Sequence, residues 1–218
     1  MKSLRVLLFA LFVVGCLGGC SSVYYSALEK VGIPKREVLA DRIEESQEAQ
    51  EEAKEQFSSA LEQLLALSAS DGGDLKLHYD RLSTELDRSE ARASAVRERI
   101  AAVRDVAEAL FDEWERELEQ YTSASLRQRS ADQLHTTRRR YDRLVLLMQR
   151  ASDRMEPVLG TLRDQVLFLK HNLNAQTIAG LDSTVSDLET EVGALIADME
   201  KSIREADAFL ADWTGGSN

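Results

Sequence analysis

Residues 75–114 read LKLHYDRLSTELDRSEARASAVRERIAAVRDVAEALFDEW, and the spacing of their apolar positions decides the fold. Alternating steps of four and three residues visit Leu75, Tyr79, Leu82, Leu86, Ser89, Ala93, Val96, Ile100, Val103, Ala107, Leu110 and Trp114, with Ser89 the one exception to an apolar stripe. A stripe that recurs every 3.5 residues lies along one side of an α-helix and asks for partner helices in a left-handed supercoil. The same rule carries Leu134, Thr137, Tyr141, Leu144, Met148, Ala151, Met155, Val158 and Leu162, and again Leu181, Val185, Leu188, Val192, Leu195 and Met199. Each seam is expected to slip by an extra step of four, at Trp114 to Leu118, Leu162 to Val166 and Met199 to Ile203. Such stutters locally unwind a coiled coil.

Working outward, helix breakers divide the chain. Two prolines, 30% charged residues and 6% aromatics in 218 residues favour long helices over a sandwich or barrel. A first helix is predicted from Pro34 to about Leu67, stopped by Ser68-Ala69-Ser70-Asp71-Gly72-Gly73. A second runs from Asp74 to about Tyr121, and a third from the hydroxyl caps at Thr122–Ser125 to about Leu173. The fourth runs from about Ala175 to Trp213. Helices two and three each span about 47 residues, or roughly 70 Å at 1.5 Å per residue. Short connections make neighbours antiparallel, so the expected fold is all-α: an elongated antiparallel bundle of four long helices with coiled-coil-like packing. Pro157 is expected to kink helix three near Arg154–Met155. Ser46 and Gln50 interrupt the seam of helix one between Ile43 and Ala53, so that helix is expected to pack most loosely. Acidic residues close helix two and arginines open helix three, and folding about Ser123 predicts the pairs Glu117–Arg129 and Glu108–Arg138.

The N-terminus is a targeting segment. Lys2 and Arg5 precede an apolar run from Val6 to Val14, too short for the roughly 20 residues that cross a bilayer. Leu17-Gly18-Gly19-Cys20 resembles the lipobox of bacterial lipoproteins, in which the cysteine thiol is acylated and becomes the first residue after cleavage. Val13-Val14-Gly15-Cys16 also fits that pattern. Cys20 is the expected lipidation site, because cleavage before Cys16 would leave an odd thiol in an oxidising compartment. The expected segments are a signal peptide over 1–19, a tether over 20–33, the helical bundle over 34–213 and a tail over 214–218. Ser21, rather than Asp, follows the acceptor and favours the outer membrane over the inner by the sorting rule of Gram-negative lipoproteins.

Composition and motifs then narrow the chemistry. The formal charge of −11 becomes −13 once Lys2 and Arg5 leave with the leader, which excludes nucleic acid as a partner. His78, His135 and His171 form no His-Glu-x-x-His pair. Asp132-Gln133-Leu134-His135 alone has the spacing of a di-iron bundle motif, which needs two such motifs with Glu and two further glutamates. There is no Gly-x-Ser-x-Gly and no glycine-rich phosphate loop after a strand. No enzyme activity, cofactor or metal is expected. The stretch Gln165-Val166-Leu167-Phe168-Leu169-Lys170-His171-Asn172-Leu173-Asn174 is unusual, since four consecutive apolar residues exceed one helical stripe. It is either a helix end buried on two sides or a partner-docking surface with Phe168 at its centre and Lys170 and His171 at its rim. Val23-Tyr24-Tyr25-Ser26-Ala27-Leu28 is suited either to the base of the bundle or to lipid headgroups.

Several strings carry a family resemblance: Tyr24-Tyr25-Ser26-Ala27-Leu28-Glu29-Lys30-Val31-Gly32, Ser58-Ser59-Ala60-Leu61-Glu62-Gln63, Asp105-Val106-Ala107-Glu108-Ala109-Leu110-Phe111, Met155-Glu156-Pro157-Val158-Leu159 and the Gln165–Asn174 stretch. Together they resemble the uncharacterised bacterial family known as domain of unknown function 2959. The resemblance implies a helical, envelope-facing protein from a Gram-negative bacterium and carries no catalytic or ligand residue.

The expected function is therefore a non-catalytic, lipid-anchored rod at the periplasmic face of the outer membrane, with an envelope protein as partner. The rival expectation is a carrier of a small apolar or lipid-like ligand in an inter-helix groove, where Ser89, Ala93 and Ala107 leave room. The sequence ends Thr214-Gly215-Gly216-Ser217-Asn218, without the terminal lysine through which some lipoproteins join peptidoglycan, so no such covalent link is expected. Cys20→Ala is expected to abolish palmitate labelling in cells and leave an unprocessed precursor, whereas Cys16→Ala is processed normally. Labelling that persists without Cys20 would transfer the anchor to Cys16.

Overall fold

A computed structural model describes residues 32–69, 75–172 and 182–215. They form four helices: α1 (Lys35–Ser68), α2 (Leu75–Leu118), α3 (Ala124–His171) and α4 (Asp182–Gly215). The leader, Cys20, the tether's first residues and the expected helix starts at Asp74 and Ala175 lie outside the described residues. Pro34 sits one position before α1, as its cap; its carbonyl accepts from the amides of Glu37 and Val38 at 3.0 and 3.3 Å. Ser123 caps α3 by accepting from the Leu126 amide at 3.4 Å. Asn172 closes the other end, donating its side-chain amide to the Phe168 carbonyl at 2.9 Å. α2 stops at Leu118, short of the expected Tyr121, because the turn to Ser123 takes up the intervening residues. α3 continues as one helix through Pro157, which lies exposed on its outer side.

The helices pack in a ring, α1 on α2, α2 on α3, α3 on α4 and α4 back on α1. This is an all-α, antiparallel four-helix bundle. Cross-helix pairs fix the heights: Lys35 meets Glu113 at 3.2 Å and Arg99 meets Glu45 at 2.9 Å between α1 and α2. Arg143 meets Glu205 at 3.0 Å and Arg154 meets Asp198 at 2.6 Å between α3 and α4. α2 and α3 have 44 and 48 residues against 34 in each of α1 and α4. Since Lys35 already faces Glu113 and Asp212 faces Arg140, the surplus lies at one end. There α2 runs on past Glu113 to Leu118, and α3 starts at Ala124, well before the Arg140 that faces Asp212 near the end of α4, so the α2–α3 hairpin overhangs its neighbours. Leu126 and Tyr121 at its tip are exposed.

The seams differ from their expected course in an informative way. In α4 the buried set is Val185, Leu188, Val192, Leu195, Met199, Ser202, Ala206, Phe209 and Trp213, which keeps steps of three and four throughout. The stutter expected at Met199 to Ile203 does not occur, because Ser202 occupies the seam with no exposed surface. In α3 both Gln165 and Val166 are half-buried after Leu162, and Val166 packs against the core before buried Leu169, so the expected step from Leu162 to Val166 fits the structure. In α2 the slip is plain: Glu117 is exposed and Leu118 packs against the core instead. α1 also packs more tightly than expected. Its seam of Leu39, Ile43, Ser46, Gln50, Ala53, Phe57, Ala60, Leu64 and Leu67 is wholly buried, and its packing on α2 is the most extensive in the bundle. Polar residues can hold seam positions when neighbouring helices cover them, so residue type alone misjudged α1.

The expected ion pairs across the hairpin shift too. Among the described residues neither Glu117–Arg129 nor Glu108–Arg138 is an ion pair; Arg138 meets Glu115 at 2.5 Å. A long turn at 119–123 displaces the register by about two helical turns for this arginine. Ile100 lies in the core at 3% exposure, while Glu98 is exposed and accepts from the Ser94 hydroxyl at 3.1 Å. Ile100→Asp is expected to cost about 3 kcal/mol by burying an unpaired carboxylate. That corresponds to a Tm lower by roughly 6–12 °C. Glu98→Lys should shift the melt by less than about 2 °C; equal losses in circular dichroism melts would contradict this seam.

Candidate docking surfaces

At the end of α3, the unusual apolar run divides between core and surface. Leu169 is buried at 1% exposure and Val166 is partly buried, while Leu167 and Phe168 are 58% and 48% exposed. Lys170 and His171 are also exposed and occupy the last helical turn, where cationic groups suit the negative end of the helix dipole. The three sequence-selected residues Phe168, Lys170 and His171 thus share one solvent-facing helix end, with Leu167 joining them. Two adjacent large apolar side chains in water form a candidate protein contact and supply no acid, base or nucleophile.

A second surface, unselected by the sequence reading, lies on the α2–α3 face. Leu146 is 67% exposed and borders a groove formed with Phe111, Tyr141 and Val145. Phe111 meets Tyr141 edge-on at 5.2 Å, and the Arg138 guanidinium lies 5.1 Å from the Phe111 ring centre. Burial pushes the Tyr141 hydroxyl up to about 12; Arg104 opposes this, and Asp142 and Glu108 add to it. The phenol therefore stays neutral at physiological pH and acts as packing. Leu146 lies two residues from both Leu144 and Met148, on the side of α3 opposite the seam, so its spacing places it outward; what the sequence reading passed over is that this outward position is apolar.

The third surface is a cleft of about 340 Å³ at the root of the overhang, bordered by Arg36, Trp114, Arg140, Phe209 and Trp213. Several of its polar groups are already engaged. Arg36 donates to the Trp213 carbonyl and stacks 4.6 Å over the Trp213 ring, whose indole nitrogen donates to the Arg36 carbonyl at 3.1 Å. Arg140 pairs with Asp212, and Trp114 donates to the Ser130 hydroxyl at 2.8 Å. The arrangement clasps α1 to α4 where the chain enters the bundle. Several arginines of α3 are shared out in the same manner, Arg138 to α2 and Arg140, Arg143, Arg150 and Arg154 to α4. These pairs are exposed or half-buried, the exposed ones contributing about 0–1 kcal/mol each, and they use the charge that an anion-binding patch would need.

Among the described residues, His, Cys, Asp and Glu form no group of three able to hold a metal ion. His135 is exposed, and Asp132 of the same motif accepts from Gln128 at 2.9 Å. No described helix is long and apolar enough to cross a membrane. Cys20 lies outside the described residues. Residues 24–213 match the model of a family described as "Protein of unknown function (DUF2959)". No curated protein matches the chain.

The exposure of Phe168 makes its contribution separable from folding. Phe168→Ser is expected to reduce recovery of crosslinked partner proteins from intact cells by several fold, while its melt stays within about 2 °C of wild type. A large loss of Tm would assign Phe168 to the core and remove it from any docking surface.

Proposed function

We propose, for a chain that belongs to the family described as "Protein of unknown function (DUF2959)", a non-catalytic role as a lipid-anchored rod that holds or spaces components of the bacterial envelope. Cys20 supplies the anchor in this reading, and two or three acyl chains at about 0.8 kcal/mol per buried CH₂ hold the rod firmly. The rod then stands in the periplasm at the outer membrane, reaching partners by its exposed apolar surfaces.

The observation that carries this reading is the filled core. Ser89, Ala93 and Ala107, the small residues beside which a ligand groove would open, have no exposed surface and are covered by neighbouring helices. Gln56 reaches the Ser89 hydroxyl at 3.5 Å, and Phe57 and Leu82 fill the same part of the bundle without exposed surface. A bundle packed in this way transmits position along its length and offers its outside to partners. Surfaces such as the Leu167–Phe168 edge suit a protein contact better than uptake of a small molecule, which needs concavity and enclosure.

Native mass spectrometry of the purified full chain, released gently from detergent, tests this role against a carrier role. The expected spectrum holds the mass of the acylated polypeptide alone. A reproducible added mass in the range of a lipid, lost on denaturation, would replace the rod with a carrier.

A further inference from the structure

Ser46 and Gln50 of α1, Ser152 of α3 and Ser202 of α4 are polar residues inside the core, with 0, 0, 3 and 0% exposure. They lie within about one helical turn of the same height. The Ser46 hydroxyl approaches the Met148 sulfur of α3 at 3.9 Å. Gln47 donates to the Ile203 carbonyl of α4 at 3.2 Å and to the Asp207 carboxylate at 2.8 Å, which brings the Ser202 region to the level of Gln47–Gln50. Arg150 and Arg154, flanking Ser152, both reach Asp198 one turn from Ser202. Gln50 turns its amide nitrogen back to the Ser46 carbonyl at 3.1 Å, and its Oε1 has no partner. The Ser202 hydroxyl is likewise buried without a partner.

We infer that this polar layer selects the register in which α1 and α4 close the bundle. Four seams of similar apolar residues can slide by one heptad and still bury apolar against apolar. Hydrophobic burial alone therefore discriminates poorly between registers. A slide of α4 along α1 by seven residues carries Ser202 away from Gln50 and brings Leu195 or Phe209 to that level. Gln50 would then lose its polar neighbour on α4, and Ser202 would come to the level of apolar Ile43 or Phe57. In the native register the two orphan groups are complementary in kind, a carbonyl acceptor and a hydroxyl donor on adjacent helices. Buried polar groups in helical seams fix register at a cost in stability. The layer is carried by α1, α3 and α4, whereas α2 contributes Val96 and Ile100 near this height, both apolar. Its selectivity thus falls on the α1–α4 contact, the closure between the first and last helices.

The test replaces the layer with apolar residues in the full chain and reads stability and register separately. A photocrosslinking phenylalanine analogue at position 47 reports its neighbours on α4 by mass spectrometry. In the otherwise wild-type chain, crosslinks are expected at 203–207. In Q50L/S202A, Tm is expected to rise by about 4 °C, and crosslinks are expected also one heptad away, at 196–200 or 210–214. Ser202→Ala alone, which adds no volume, should raise Tm by a smaller amount and guards against overpacking at position 50 masking the effect. A Tm that fails to rise in both variants overturns the inference, as do crosslinks confined to 203–207 in the double variant.

Discussion

A helix of 34 to 48 residues with one apolar stripe cannot hide that stripe by itself, and the fold follows from this constraint. Each fully buried Leu, Ile or Phe on the seam is worth about 1.5–3 kcal/mol relative to exposure. Leu39, Ile43, Phe57, Leu82, Leu144, Met148, Leu159 and Leu195 are all sealed from solvent. Closing the ring requires the first and last helices to meet, although they are remote in sequence. The stacking of Arg36 on Trp213 and the reciprocal bonds between them anchor that meeting at one end. Gln47 and its α4 partners hold it further along.

Charge plays a lesser part than its abundance suggests. With 30% charged residues, the outer faces are covered by ion pairs that link neighbouring helices, such as Arg163 with Glu90 at 2.5 Å, or that run along one helix, as Arg163 with Glu156 at 2.7 Å. Hydrogen bonding to Glu156 and Glu90 raises the Arg163 guanidinium above its ordinary value, and the same contact lowers the Glu156 carboxyl. Both partners are largely exposed, so water and salt screen most of the energy. These pairs reinforce an arrangement already chosen by the core and keep the surface hydrated. They also account for why a run of arginines in α3 does not form a free basic patch.

Where the chain departs from an ideal bundle, apolar side chains are left exposed. The overhanging α2–α3 hairpin lacks cover from α1 and α4, and the far end of α3 presents Leu167 and Phe168 to solvent. A filled core, engaged arginines and surface apolar residues together suit binding through the outside of the rod. The proposed role takes its envelope location from the N-terminal sequence and its mode of contact from these surfaces.

The four helices, their antiparallel order and most of the buried positions were legible in the sequence, because a 3.5-residue repeat is a local property that survives without knowledge of partners. Phe168, Lys170 and His171 were also legible as an unusual helix end, since four apolar residues in a row cannot share one stripe. Tertiary structure alone decided which polar residues were seam residues. Ser46, Gln50 and Ser202 read as interruptions or as a slip, yet each is buried, because coverage depends on three neighbouring helices and not on the residue's own hydropathy. It alone decided the pairing of Arg138 with Glu115, since a turn of a few residues changes height along a rod by a full helical turn or more. It alone placed the surplus length of α2 and α3 at one end, because the relative height of packed helices is set by side chains on different helices, which no single stretch of sequence contains.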